Sequence, residues 1–182
     1  MSGDTPVWAH ERAEVRPHDP QWQARATAES GRLTELLAPW LVDGVEHVGS
    51  TSVPGLAAKP VVDLMASVTD LDTVVDQAAD RLAADGWAYV PPELDNRPWR
   101  RFFVKPDATR QHREAHLHLI EAGHHRWTDQ LSFRDALRND PELAQRYEDL
   151  KRELAGREGH DREAYTEGKA AFVAKALRGP RA

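Results

Sequence analysis

The chain has 182 residues, 40% hydrophobic and 30% charged, with a formal net charge of -6. That length fits one domain, or one domain with a helical appendage, and is enough to bury a real core. The acidic balance removes any electrostatic reason for broad binding to nucleic acid or anionic membrane, and the absence of Cys excludes disulfides, thiolate nucleophiles and thiolate zinc ligands.

Residues 1–18 read as a flexible lead with a short strand at Ala13–Pro17. The stretch MSGDTPVWAHERAEV is polar, unlike a signal peptide. No apolar run nears the roughly 18 residues of a membrane span. The expected location is therefore the cytoplasm, with no membrane partner. Asp19-Pro20 reads as an N-cap and first helical position, opening a helix to about Leu37 with Trp22, Ala26, Leu33, Leu36 and Leu37 as its apolar stripe. Pro39 ends it. Val45–Val48 is a short strand. Pro60–Val68, nearly all apolar, is a central strand buried on both faces. Asp70 caps the next helix, with Leu71, Val74, Val75, Ala78 and Leu82 inward, and Gly86 ends it. Trp87–Val90 is a strand, Pro91 to Pro98 an irregular loop, and Trp99–Lys105 a further strand. Glu114–Glu121 alternates: Ala115, Leu117 and Leu119 face one way, Glu114, His116 and His118 the other.

After Gly123 the pattern is helical. The first helix spans about Trp127–Arg138. Asp140-Pro141 starts the second, striped by Leu143, Tyr147, Leu150 and Leu154 and stopped at Gly156. A third spans about Asp161–Leu177, with Tyr165, Phe172, Val173 and Leu177 apolar. The hairpin-like run from Trp87 to Glu121 favours a mixed sheet over a doubly wound one. The expected class is α+β: a mixed β-sheet flanked by helices, with residues 19–123 as the core and 124–182 as a helical region of the same domain, packed on or beside the sheet.

The chemistry concentrates in HVGSTSVPGLAAKPVVDLM, His47–Met65. Gly49 follows a strand and lets backbone approach a ligand closely. Ser50, Thr51 and Ser52 add three hydroxyls at what reads as a strand-to-helix turn, a place suited to phosphate. Lys59 adds a positive charge. The spacing is not that of a Walker A loop, because Gly55 is followed by Leu56, nor is it G-x-G-x-x-G. A hydroxyl-rich turn without a ligand fits the same residues. Asp63 lies in an apolar strand, where a carboxylate needs a partner: a cation of Lys59 or an Arg, or a divalent metal. His116 and His118 share a strand face near it and could form a two-histidine, one-carboxylate set, suited to Zn, Fe or Mn more than Mg. The same histidines also fit a polar cleft that hydrogen-bonds a phosphate, or a solvent-facing strand side. Arg97, Arg100, Arg101 and Lys105 cluster around one strand. Arg100 is the candidate to clamp a phosphate, and a solvated edge explains the cluster equally well. Arg134, Lys151 and Lys169 could reach the cleft from the C-terminal helices, and each taken alone reads better as a surface salt bridge. Trp22, Tyr147 and Phe172 read as core, and His124-His125 as a turn without a role.

Strand, Gly-Ser, about a dozen residues and a strand with an Asp resemble the polymerase-beta-like nucleotidyltransferase superfamily. More closely, EHVGSTSVPGLAAKPVVDL, HDPQW, HLHLIEAG, FRDALRNDPELAQRYEDLK and YTEGKAAFV resemble the GrpB family over nearly the whole chain from His18. The resemblance implies a nucleotidyltransferase-like fold. Gly49–Ser52 would hold a nucleoside triphosphate, with Mg or Mn on Asp63. The Asp-x-Asp pair of the superfamily matches Asp63, but its second carboxylate falls on Met65, which cannot replace it. The readings left open are a nucleotidyltransferase acting on a small-molecule acceptor, with Asp63 holding the metal and Lys59 or Arg100 neutralising phosphate charge; a non-catalytic nucleotide- or phosphometabolite-binding module; and a metal-dependent hydrolase with Asp63, His116 and His118 as its catalytic residues.

Overall fold

The computed structural model describes residues 6–11, 14–157 and 162–178, with 10, 155–157 and 162–166 described by backbone alone. Ala13, Asp161 and the side chain of Tyr165, all used in the sequence reading, lie outside the described residues. The elements are α1 (Gln21–Leu37), β1 (Leu41–Val48), β2 (Val62–Val68), α2 (Leu71–Ala84), β3 (Ala88–Val90), α3 (Pro92–Asp95), β4 (Arg100–Pro106), β5 (Arg113–Glu121), α4 (His125–Asn139), α5 (Pro141–Arg157) and α6 (Arg162–Leu177). The strands form one mixed sheet, ordered β1-β2-β5-β4-β3. Only the β2–β5 pair is parallel, and the other three are antiparallel.

Period-2 alternation gives this sheet two different faces. Val62, Leu64, Ala66 and Val68 of β2, Ala115, Leu117 and Leu119 of β5, and Phe103 of β4 join α1 and α2 in one core. Arg101 and Lys105 share that side of β4 and are tied to its helices: Arg101 to Asp72, Lys105 to Glu29 and Asp85. The opposite face is covered only in part. Val48, Met65 and Ile120 pack under Trp127 and Leu131 of α4. A third cluster joins Val53 and Leu56 to Phe133, Leu137 and Tyr147, with Phe172 packed against it, so α5 and α6 sit beside the sheet against α4. Trp22, Tyr147 and Phe172 are packing residues, as expected.

The punctuation mostly follows local chemistry. Asp19 accepts from the Gln21 amide at 2.9 Å, Asp70 from Thr73 at 2.7 Å and Asp140 from Leu143 at 2.9 Å, each satisfying an amide at a helix start. Besides shifts of a residue or two at α1 and at strands β2 to β5, four differences stand out. β1 begins at Leu41 because an irregularity between Leu41 and Gly44 breaks its alternation. The Pro-rich loop contains the single turn α3, whose paired prolines preset the backbone. α4 starts at His125, and His124 caps it through Nδ1 to the Arg126 amide. α5 continues through Gly156 to Arg157, so that glycine is not its stop.

In the N-terminal stretch, Trp8 is buried and its carbonyl accepts from the Arg113 guanidinium at 2.9 Å. Arg16 and Ala58 exchange both backbone hydrogen bonds. Among the described residues, no helix is long and apolar enough to cross a membrane.

Candidate functional site

A partly buried stretch of the second sheet face brings the expected residues together. The registers Val48↔Asp63, Asp63↔His116 and Met65↔His118 place the end of β1, Asp63 and both histidines side by side. Asp63 Oδ1 lies 2.9 Å from His116 Nδ1 and 3.4 Å from His118 Nε2. Asp63 Oδ2 sits against the Gly49 backbone: a Cβ on Gly49 would lie 2.6 Å from it. Gly49 also has φ of 71°, a left-handed conformation that favours glycine. The Gly-Ser loop and the acidic strand are therefore in direct contact.

The loop leads into a three-residue 3-10 turn, Ser50–Ser52, not the helix start that the sequence suggested. Two of its three hydroxyls have internal partners: Ser52 donates to the Gly49 carbonyl at 2.6 Å, and Thr51 meets His47 Nε2 at 2.9 Å. Two arginines of α4 hold the carbonyls around the turn. Arg134 reaches the His47 carbonyl at 3.1 Å, and Arg138 donates twice to the Ser52 carbonyl, at 3.0 and 2.8 Å. Arg138 escaped the sequence reading, because a lone Arg on a helix looks like any solvated charge. A cavity of about 540 Å³ lies behind the turn, between Val53–Leu56 and α4–α5, with Arg138 on its wall.

The cations divide into distinct roles. Arg100 is buried and grips Asp95 through Nε at 2.8 Å and Nη2 at 2.5 Å, and its Nη1 meets His118 Nδ1. Its guanidinium is thus engaged with protein partners where a phosphate clamp was expected. Asp95 gave no signal in the sequence, because its loop looked irregular. Lys59 lies 3.7 Å from Glu11. Lys151 is buried and holds the Ala57 carbonyl, so it props the loop from behind. Lys169 lies within the electrostatic reach of Asp63: burial lowers its ammonium pKa, and Asp63 opposes that.

Burial works to raise the Asp63 carboxyl, but the hydrogen bonds from His116 and His118 outweigh it and hold it well below the carboxylate range. Burial, aided by the Arg100 charge, pushes His118 down to about 4. Burial also lowers His116. All three groups therefore stand as a carboxylate between neutral imidazoles. Behind them, burial pushes His47 down to about 4. Between pH 6.5 and 4 the unfolded chain takes up a proton at His47 that the folded chain refuses, so stability falls with pH across that window. His47→Gln should lose roughly 2 kcal/mol less than the parent between pH 6.5 and 4.5 in urea titrations. Equal pH slopes would show that His47 is not held neutral.

One ligand atom each from Asp63, His116 and His118 lie within 4.8 Å of one another. That set does not fit magnesium, which takes oxygen ligands. The second acidic position offers nothing: Met65 is 1% exposed and packs with Val48, Ile120 and Trp127. A charge there would be buried in an apolar cluster.

The chain matches the GrpB protein family over residues 12–178. A UPF0157 protein of Pseudomonas aeruginosa is 41% identical over 172 residues, covering 92% of this chain and 67% of the relative. The crystal structure of the conserved protein GrpB from Enterococcus faecalis is similar with a TM-score of 0.77 at 28% identity, covering 91% of this chain and 98% of that one. The Cid1 poly(U) polymerase with Mg and 3'-dATP bound is similar with a TM-score of 0.55 at 15% identity, covering 79% of this chain and 44% of that one, a likeness of fold alone. With a nucleotidyltransferase-like mixed sheet beneath these matched residues, the chain belongs to the GrpB family.

Proposed function

We propose that the protein binds a nucleotide, or a nucleotide-like phosphorylated metabolite, with its phosphates at Gly49–Ser52 beside Asp63. The observation that carries this is the contact between Gly49 and Asp63, which leaves no room for a Cβ and fixes the Gly-Ser turn over the carboxylate. Lys59 and Lys169 supply nearby positive charge, as anion binding requires. In this reading the phosphates meet backbone and lysines, while Arg100 supports the cluster from below. The likeness to nucleotidyltransferases supports transfer of a nucleotidyl group to a small acceptor as the reaction. Met65 favours a second reading, binding without transfer, because its position is filled by apolar packing where two-metal chemistry needs a carboxylate.

Calorimetric titration of the four ribonucleoside triphosphates, with and without Mg²⁺, tests the proposal. At least one should bind, and Asp63→Asn should change its affinity by tenfold or more. No heat from any nucleotide with folded protein would reject it. Binding that survives EDTA, without pyrophosphate release on adding candidate acceptors, would select the second reading.

A further inference from the structure

Asp63, His116 and His118 have the residue types of a two-histidine, one-carboxylate metal site, yet the hydrogens on their nitrogens point inward. A guanidinium can only donate, so His118 Nδ1, which meets Arg100 Nη1, carries a lone pair. The hydrogen of the neutral ring is then on Nε2, which faces Asp63 Oδ1 at 3.4 Å. His116 faces the same oxygen through Nδ1 at 2.9 Å, and an ionised carboxylate can only accept, so its hydrogen is on Nδ1. The bare nitrogen of His116, Nε2, is buried and has no hydrogen-bond partner among the described residues. A metal ion needs converging lone pairs. Here one carboxylate meets two N–H groups.

Arg100 is not free to turn away and release His118. Asp95 holds its Nε at 2.8 Å and its Nη2 at 2.5 Å, and the Phe102 ring lies 4.2 Å from its central carbon. Phe102 also stacks on the His118 ring, with centroids 5.2 Å apart. For His118 to offer Nε2 to a metal, its hydrogen must move to Nδ1, where it would confront a guanidinium N–H.

We infer that Arg100, anchored by Asp95, is a specificity-determining residue that keeps Asp63, His116 and His118 closed to a metal ion, as a carboxylate gripped by two imidazole N–H donors in opposite tautomers. The inference rests on this hydrogen-bond network alone and holds whether or not a nucleotide binds at Gly49–Ser52.

Long-range ¹H–¹⁵N correlation spectra of ¹⁵N-labelled protein at neutral pH read the tautomers directly, with assignments from His116→Gln and His118→Gln. His118 should be protonated at Nε2 and His116 at Nδ1; His118 protonated at Nδ1 would overturn the inference. Titration with Co²⁺, followed by visible absorption, should give no stoichiometric band in the parent. The double variant Asp95→Asn/Arg100→Gln, whose amide can accept from Nδ1, should bind Co²⁺ at least tenfold more tightly, and adding His118→Gln should erase the gain. Parent binding that His118→Gln removes, or no gain in a folded double variant, would refute the role of Arg100. If the double variant does not fold, the parent spectra decide.

Discussion

Gly49→Ala is expected to lower stability by about 2–5 kcal/mol and to weaken nucleotide binding at least tenfold in the molecules that still fold. Two costs add. A side chain in the left-handed region costs about 1–2 kcal/mol, and the Gly49 φ is 71°. Overpacking adds about 1–3 kcal/mol, and the new Cβ would meet Asp63 Oδ2 at 2.6 Å. Neither atom has an easy retreat, because Asp63 is held by both histidines and Gly49 by the Ser52 amide and hydroxyl on its carbonyl. Gly55→Ala is the control. Its φ is 78°, but nothing lies within 4 Å of the position a Cβ would take. It should show the backbone cost alone and leave affinity intact. Denaturant melts of both variants, beside nucleotide titrations, measure the difference. Equal losses of stability would mean that the contact with Asp63 does not constrain Gly49.

Asp95→Ala is expected to cost about 3–5 kcal/mol, since it leaves a guanidinium buried without its carboxylate. Asp95 and Arg100 are each 8% exposed. The loss should be far smaller in Asp95→Asn/Arg100→Gln, where two neutral amides replace two charges. Comparing that pair with each single change gives the coupling energy. The pair also sets an acid limit. Burial works to raise the Asp95 carboxyl, but Arg100 and Arg97 outweigh it and hold it below its ordinary 3.8. Its share of stability is therefore complete above that value and lost as the pH falls through the lower folded pKa. Guanidinium chloride melts at pH 7 and pH 3 should show the Asp95→Ala penalty shrinking at the acid end. An unchanged penalty would mean that the carboxylate charge is not what Arg100 needs.

Much of this protein could be read from its sequence. The alternation in HLHLIE set the two faces of β5, so His116 and His118 could be placed opposite Leu117 and Leu119 before any pairing was known. Asp70 and Asp140 marked helix starts because a capping carboxylate acts on amides two or three residues away. The Gly-Ser loop and Asp63 were visible as a pair, because a motif of fixed order lies within one short stretch of chain.

Other features depended on contacts between distant segments. Asp63 joins His116 across 53 residues, and only the parallel β2–β5 register puts them at hydrogen-bond distance. Met65 could be read as a missing carboxylate, but α4 decides that no carboxylate belongs there, by laying Trp127 over it. Arg100 looked like a phosphate clamp until α3 brought Asp95 to its guanidinium and β5 brought His118. Arg138 gained its role when α4 packed against the turn that holds Ser52. The sequence by itself determined which residues carry charge, which faces are apolar and where helices begin, because those properties act over a few residues. Tertiary structure decided which charges are already satisfied by protein partners and which lone pairs remain for a ligand, because a hydrogen bond is settled only when both partners are in place.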